Sequence, residues 1–173
     1  NPGRRWFKRV HDVLGPHMRF LVTGGSRFDP TIGRDLYDMG FALLNAYGLT
    51  ETSGGATIVR PGDRYTTSVG MPLKNVEIRI APADADGDRE HEDGEVLIRG
   101  PIVMREYYRR PDATTDSLKD GWLYTGDLGR LDADGRLYIT GRKKEMIVLA
   151  SGKNLYPEEI EAHYRESPVI KEL

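Results

Sequence analysis

Two short apolar runs, Phe20-Leu21-Val22 and the stretch FALLNAY at residues 41–47, flank a segment with helical spacing. This arrangement narrows the fold more than any other feature. Continuous apolar runs of this length suit strands buried on both faces, and a helix between two of them is the crossover of a parallel sheet. Asp29 is placed to cap that helix and Pro30 opens its first turn, while Ile32, Leu36 and Met39 share one face and Gly40 ends it. Upstream, Phe7, Val10 and Leu14 recur at helical spacing until Gly15-Pro16, which predicts a helix over residues 4–14. Ligands of parallel sheets gather beyond the carboxyl ends of the strands. Two glycine-bearing loops fall there, TGGSR after the first run and YGLTETSGG after the second, so both would face one crevice.

Past Gly62 the periodicity changes to alternation, with Val76, Ile78 and Ile80 in one stretch and Val96 and Ile98 in GEVLIRG. That pattern predicts an antiparallel sheet or small barrel, so the chain as a whole reads as α/β. Pro111 introduces a short helix over residues 112–118. In WLYTGDLG, Trp122, Leu123 and Tyr124 read as buried strand and Thr125-Gly126-Asp127 as a turn presenting a carboxylate. Asp134-Gly135 between two apolar alternations predicts a hairpin. A last helix is expected from Pro157, with Glu158 and Glu159 at its positive end and Ile160 and Tyr164 on one face. No internal repeat is visible.

Of the 173 residues none is cysteine, so disulfides, thiolate zinc sites and iron–sulfur clusters are excluded. His11, His17, His91 and His163 are too dispersed for a compact metal motif. A formal charge of -2 gives no reason to expect nucleic acid. No apolar run approaches the roughly 20 residues that span a bilayer, and the start of the chain lacks the apolar centre of a signal peptide. A cytoplasmic setting is the expectation, with peripheral membrane contact left open. Asp84, Asp86, Asp88 and Glu95 have the spacing of a calcium loop, but Arg89 stands where that loop needs glycine and strand patterns flank it. An acidic hairpin connection is the better reading. The basic stretch GRKK at residues 141–144 is short and free of aromatic neighbours.

Two stretches carry candidate chemistry. Residues 45–55, NAYGLTETSGG, either run from a strand end into an ordinary polar loop or hold a ligand. In the second case Tyr47 offers a flat stacking surface, Thr50 a hydroxyl and Glu51 a ligand for a hard cation. Asp127 either caps its turn or grips the two hydroxyls of a ribose with its two oxygens.

The ordered series YGLTE, GEVLIRG, YTGD, GRKKEMI and PEEIE, from about Phe20 to the end, resembles the adenylate-forming superfamily of acyl-CoA synthetases, adenylation domains and luciferases. The resemblance implies a set of roles. Tyr47 would stack on adenine beside Gly48, Thr50 would contact phosphate, and Glu51 would bind magnesium. Gly24, Gly25 and Ser26 would line the other side of the adenine, where Arg27 departs from the proline or small residue often found. Asp127 would take the ribose hydroxyls and Arg142 the ribose or α-phosphate region, with Gly126 and Gly141 keeping backbone clear. Lys144 matches the hinge of the small C-terminal domain, unless it is an ordinary exposed lysine, and Gly152 matches the border of the pantetheine tunnel.

The segment GRKKEMIVLASGKN is more similar to the fatty-acyl branch than to aryl-CoA ligases. Implied substrates and cofactors are ATP, yielding AMP, with Mg2+, CoA and a fatty acid. Residues 1–141 would be the later part of the large AMP-binding domain and residues 142–173 the beginning of the C-terminal lid. Because the chain opens on Asn1 and stops in SPVIKEL, it is expected to be a fragment. The family's phosphate loop would lie upstream and its catalytic lysine downstream, so the isolated chain should be inactive and poorly soluble. Two alternatives stand beside the CoA ligase: loading of a carrier protein, and a non-catalytic nucleotide-binding remnant.

Overall fold

The protein is described by a computed structural model at residues 2–26, 28–63, 67–82, 93–145, 147–148, 154–155, 157, 160 and 164. The fold is α/β. Helices α1 (Pro2–Trp6) and α2 (Lys8–Leu14) replace the single helix predicted over 4–14. The break falls at Phe7, whose ψ of 28° lies outside the helical range. Phe7, Val10 and Leu14 are exposed, so the predicted apolar face is not what docks this pair. Gly3 and His11 do. A Cβ on Gly3 would lie 2.0 Å from the Asp38 carbonyl oxygen, which means that the backbones touch. His11 stacks on Phe41 with ring centroids 4.0 Å apart, and its Nε2 hydrogen-bonds the Met39 carbonyl at 3.0 Å.

Strand β1 (Leu21–Gly24), helix α3 (Pro30–Asp38) and strand β2 (Leu43–Tyr47) form the expected crossover, with Leu21 opposite Leu43 in parallel register. The Asp29 carboxylate accepts the Thr31 N–H at 2.7 Å, fixing the helix start. The prediction that β1 is buried on both faces fails: Val22 is 60% exposed and burial alternates along the strand. Among the described residues β1 pairs with β2 alone, so it is an edge. Strands β3 (Thr57–Ile58) and β4 (Met71–Pro72) extend the sheet antiparallel, in the order β1-β2-β3-β4.

The second sheet is antiparallel, as the alternation predicts. It contains β5 (Glu77–Pro82), β6 (Gly94–Arg99), β7 (Leu118–Lys119), β8 (Trp122–Leu131) and β9 (Leu137–Arg142), with helix α4 (Pro111–Ser117) leading into β7. Beyond it, β10 (Ile147–Val148) and β11 (Asn154–Leu155) pair with each other. Strand β8 is bordered by β6 on one side and by β7 and β9 on the other. Strand β6 departs from simple alternation, because every residue from 94 to 98 is buried. Val96 and Ile98 join Ala56, Val76, Leu123 and Leu137 in the core, while Glu95 and Leu97 are enclosed on the opposite face. The predicted hairpin is present: Asp132 Oδ1 accepts the N–H groups of Asp134 and Arg136, and Gly135 takes a φ of 82°.

Leu137 joins the two sheets through its backbone. The Leu137 carbonyl accepts from the Ser68 hydroxyl and the Val69 N–H, both at 2.9 Å, and the Leu137 N–H donates to Gly70. Gly70 has a φ of 87°, and a Cβ there would meet the Ile58 backbone at 2.0 Å. That close approach sets β9 and β8 beside the carboxyl end of β2. Pro157, Ile160 and Tyr164 are helical, and the rest of the predicted last helix lies outside the described residues.

Candidate active site

At the carboxyl end of β2 the chain turns sharply. A Cβ on Gly48 would lie 2.1 Å from the Gly54 carbonyl oxygen, so only glycine lets the loop close on itself. Thr50–Thr52 then form a 3-10 turn, in which the Leu49 N–H donates to the Thr52 hydroxyl at 2.9 Å. The segment at 102–107 clamps this turn from outside. Ser53 donates to the Ile102 carbonyl, Met104 N–H donates to the Glu51 carbonyl, and the Tyr107 hydroxyl donates to Glu51 Oε1 at 2.6 Å. The bond to Glu51 raises the Tyr107 pKa, with burial adding to it.

Asp127 reaches the same end of β2 from the second sheet. It does not sit on a turn, as the sequence suggested, but inside the ten-residue strand β8. Opposite β6, Glu95 pairs with Leu128 and Leu97 with Tyr124, so Thr125, Gly126 and Asp127 stand against the single residue Val96. This three-against-one bulge turns on Gly126, whose φ is 74°. No protein atom outside its chain neighbours lies within 4 Å of a Cβ built there, so within the protein itself the need for glycine is one of backbone conformation.

The Asp127 carboxylate is buried between two partners. Tyr47, 80 residues away in sequence, donates its hydroxyl to Oδ2 at 2.7 Å, and Arg142 places Nε 3.3 Å from Oδ1. Burial raises the Asp127 pKa, against the opposing pull of the Tyr47 bond and the Arg142 charge. Burial, reinforced by the Asp127 charge, pushes the Tyr47 phenol far above its ordinary value, so it stays a donor. A carboxylate has about four lone-pair sites, which leaves capacity for further donors.

A cavity of about 540 Å³ opens over this group. Gly25, Ser26, Tyr47, Gly48, Asp127 and Arg142, all singled out from the sequence, line it together with Asn45, Thr67 and Ile139. Gly25 takes a φ of 83° at the exit from β1, where a left-handed residue is needed. Glu51 and Lys144 line a neighbouring cavity with Tyr107, Glu95 and Lys143, and Leu49 borders both cavities. Thr50 is exposed and belongs to neither wall. Arg27 and Gly152 lie outside the described residues, as do Asp84, Asp86 and Asp88 of the calcium-like spacing. Among the described residues no group of three His, Cys, Asp or Glu side chains could hold a metal. Glu51 alone with a phosphate and water is still a sufficient donor set for magnesium, which takes one or two carboxylates and completes its shell from such ligands.

A family model described as "AMP-binding enzyme" matches residues 3–108. The chain belongs to the AMP-binding enzyme family. As an AMP-binding-family chain it is 40% identical over 166 residues, 96% of its length, to a long-chain-fatty-acid–CoA ligase of Mycobacterium bovis. It is 44% identical over 147 residues to a long-chain-fatty-acid–CoA ligase of Yersinia pestis, there covering 83% of its length. It spans about a quarter of each, 26%. Among solved structures it superposes on the O-succinylbenzoate coenzyme A synthetase of Bacillus subtilis in complex with AMP. The TM-score is 0.81 and the identity 31%, over 98% of this chain and 36% of that one.

Sequence reading missed Tyr107 and Glu95. The YY pair in REYYRRP was the available signal for Tyr107, but its partner lies 56 residues away. Glu95 stood in plain view at the end of the calcium-like spacing.

Proposed function

We propose that this chain is the nucleotide-holding part of an AMP-forming fatty-acid–CoA ligase. The observation that carries the reading is the convergence of Tyr47, Asp127 and Arg142, from distant parts of the sequence, on one cavity with Gly25 and Ser26. In this reading Asp127 accepts the ribose hydroxyls, Tyr47 and the Gly25-Ser26 loop flank the adenine, and Arg142 supports the ribose or α-phosphate. Thr50 contacts phosphate from its exposed position. Mg2+, held by Glu51 and phosphate oxygens, would offset the negative charge that builds during phosphoryl attack.

A fatty-acid carboxylate oxygen attacks the α-phosphorus of ATP, the bond to the β-phosphate oxygen breaks, and pyrophosphate leaves. The CoA thiolate then attacks the acyl carbon and AMP departs. The residues here orient the nucleotide for both steps. Lys144 is the proposed hinge, with residues 1–141 in the large domain and 142–173 in the lid, and Gly152 the proposed border of the CoA tunnel. Support comes from β9 ending at Arg142 and from β10 pairing with β11 alone among the described residues. The names of the relatives support a fatty acid and CoA as substrates. A cytoplasmic setting is part of the same reading.

Calorimetric titration of the chain with AMP tests the site. Asp127→Ala should weaken binding by about 10- to 100-fold, the range for lost hydrogen bonds to a charged group. Equal affinity of the variant and the parent chain would remove the basis of the reading.

A further inference from the structure

Glu95 is a buried carboxylate with no part in the chemistry described above. Its residue exposure is 7%, yet both oxygens are engaged, one by strand β8 and the other by the residue that follows β9. Oε1 accepts the Gly126 N–H at 3.1 Å, at the left-handed residue immediately before Asp127. Oε2 pairs with Lys143 Nζ at 3.0 Å, immediately after Arg142. Lys143 closes the ring by donating its own N–H to the Gly126 carbonyl at 2.8 Å. One carboxylate thus ties down the neighbours of both residues that meet at Asp127 Oδ1.

We propose that Glu95 is a positioning residue for the nucleotide: by gripping Gly126 and Lys143 together it holds the bulge of β8 and the end of β9 so that Asp127 and Arg142 meet the ribose. The physical need is specific. A bulge that sets three residues against one leaves backbone groups without ladder partners, and a left-handed glycine imposes no side-chain restraint of its own. The carboxylate supplies the missing acceptor for Gly126, and a charged acceptor holds an amide more firmly than a neutral one. Lys143, half exposed, offsets the burial of that charge. The inference rests on the reading that Asp127 takes the ribose hydroxyls.

The test compares AMP with 2′,3′-dideoxy-AMP by calorimetry on the 173-residue chain. The parent chain should prefer AMP by about 10-fold or more. Glu95→Met, close in volume, should reduce that preference to about 3-fold or less and speed hydrogen exchange at the Gly126 amide. Glu95→Gln keeps an acceptor for Gly126 and should restore most of both. Lys143→Met removes the half-exposed cation and leaves the Gly126 bond in place, and should lower the preference by about 2- to 3-fold. A preference unchanged in both Met variants, or a loss for the two ligands alike, overturns the positioning role while leaving the Asp127 reading intact. A parent chain with no preference between the ligands overturns both.

Discussion

In the N-terminal unit, Trp6, Val13 and Val22 face outward at 84%, 85% and 60% exposure, whereas Val96, Ile98 and Leu137 of the second sheet are fully enclosed. Both regions carry apolar periodicity in the sequence, but in the first it is satisfied along β2 and its lead-in alone, where Phe41, Leu43 and Leu44 are buried, while the apolar positions of α2 and β1 stay open. The rest of the first region is held by close backbone approach at Gly3, the His11–Phe41 stack and the α3 cap. Cooperative stability should therefore reside in the second sheet and its joint with β3 and β4, because burial of apolar surface dominates folding energetics.

Replacing Ile98 by Ala should show the difference most strongly, with a loss of ~2–5 kcal/mol in urea unfolding and collapse of both regions together. A loss confined to the second sheet, with the first still folded by hydrogen exchange, would show the regions to be independent.

A smaller effect of opposite sign is expected at Asp127. Its folded pKa is raised above the ordinary 3.8, so the folded state binds the proton more tightly than the unfolded state. Its favourable contribution is complete below the unfolded value and is lost as pH rises through the folded one. Asp127→Asn should therefore stabilise the chain at pH 7 by ~0.5–2 kcal/mol, a gain typical of removing functional strain. That gain should shrink as pH is lowered toward 3.8. Melting curves across this range would check the sign, and a variant less stable at neutral pH would contradict it.

The smallest change belongs to the first region. Trp6→Gln and Val13→Ser should each alter stability by no more than ~0.5 kcal/mol, the range for exposed positions, while reducing light scattering. A larger loss in unfolding would mean that these side chains are covered.

Features set by neighbours in sequence were legible. The Asp29-Pro30 helix start and the Asp134-Gly135 hairpin follow from local turn chemistry, and both stand in the structure. Much of the lining of the candidate cavity was legible through motifs in order, two of them loops that leave the ends of β1 and β2. What could not be read depends on residues meeting across the fold. Burial on both faces of β6 requires cover from elsewhere, and the bonds from Tyr107 to Glu51 and from Lys143 to Glu95 span 56 and 48 residues. Gly126 was recognised as a place where the chain bends, but a left-handed glycine reads alike in a turn and in a bulged strand.

The bulge in β8 also acts as a buffer of strand length. The pairs Leu97–Tyr124 and Glu95–Leu128 flank it, so losing either Thr125 or Gly126 would still leave two residues against one and keep both pairs in register. A change of length here would re-aim the carboxylate while sparing the sheet on either side of it.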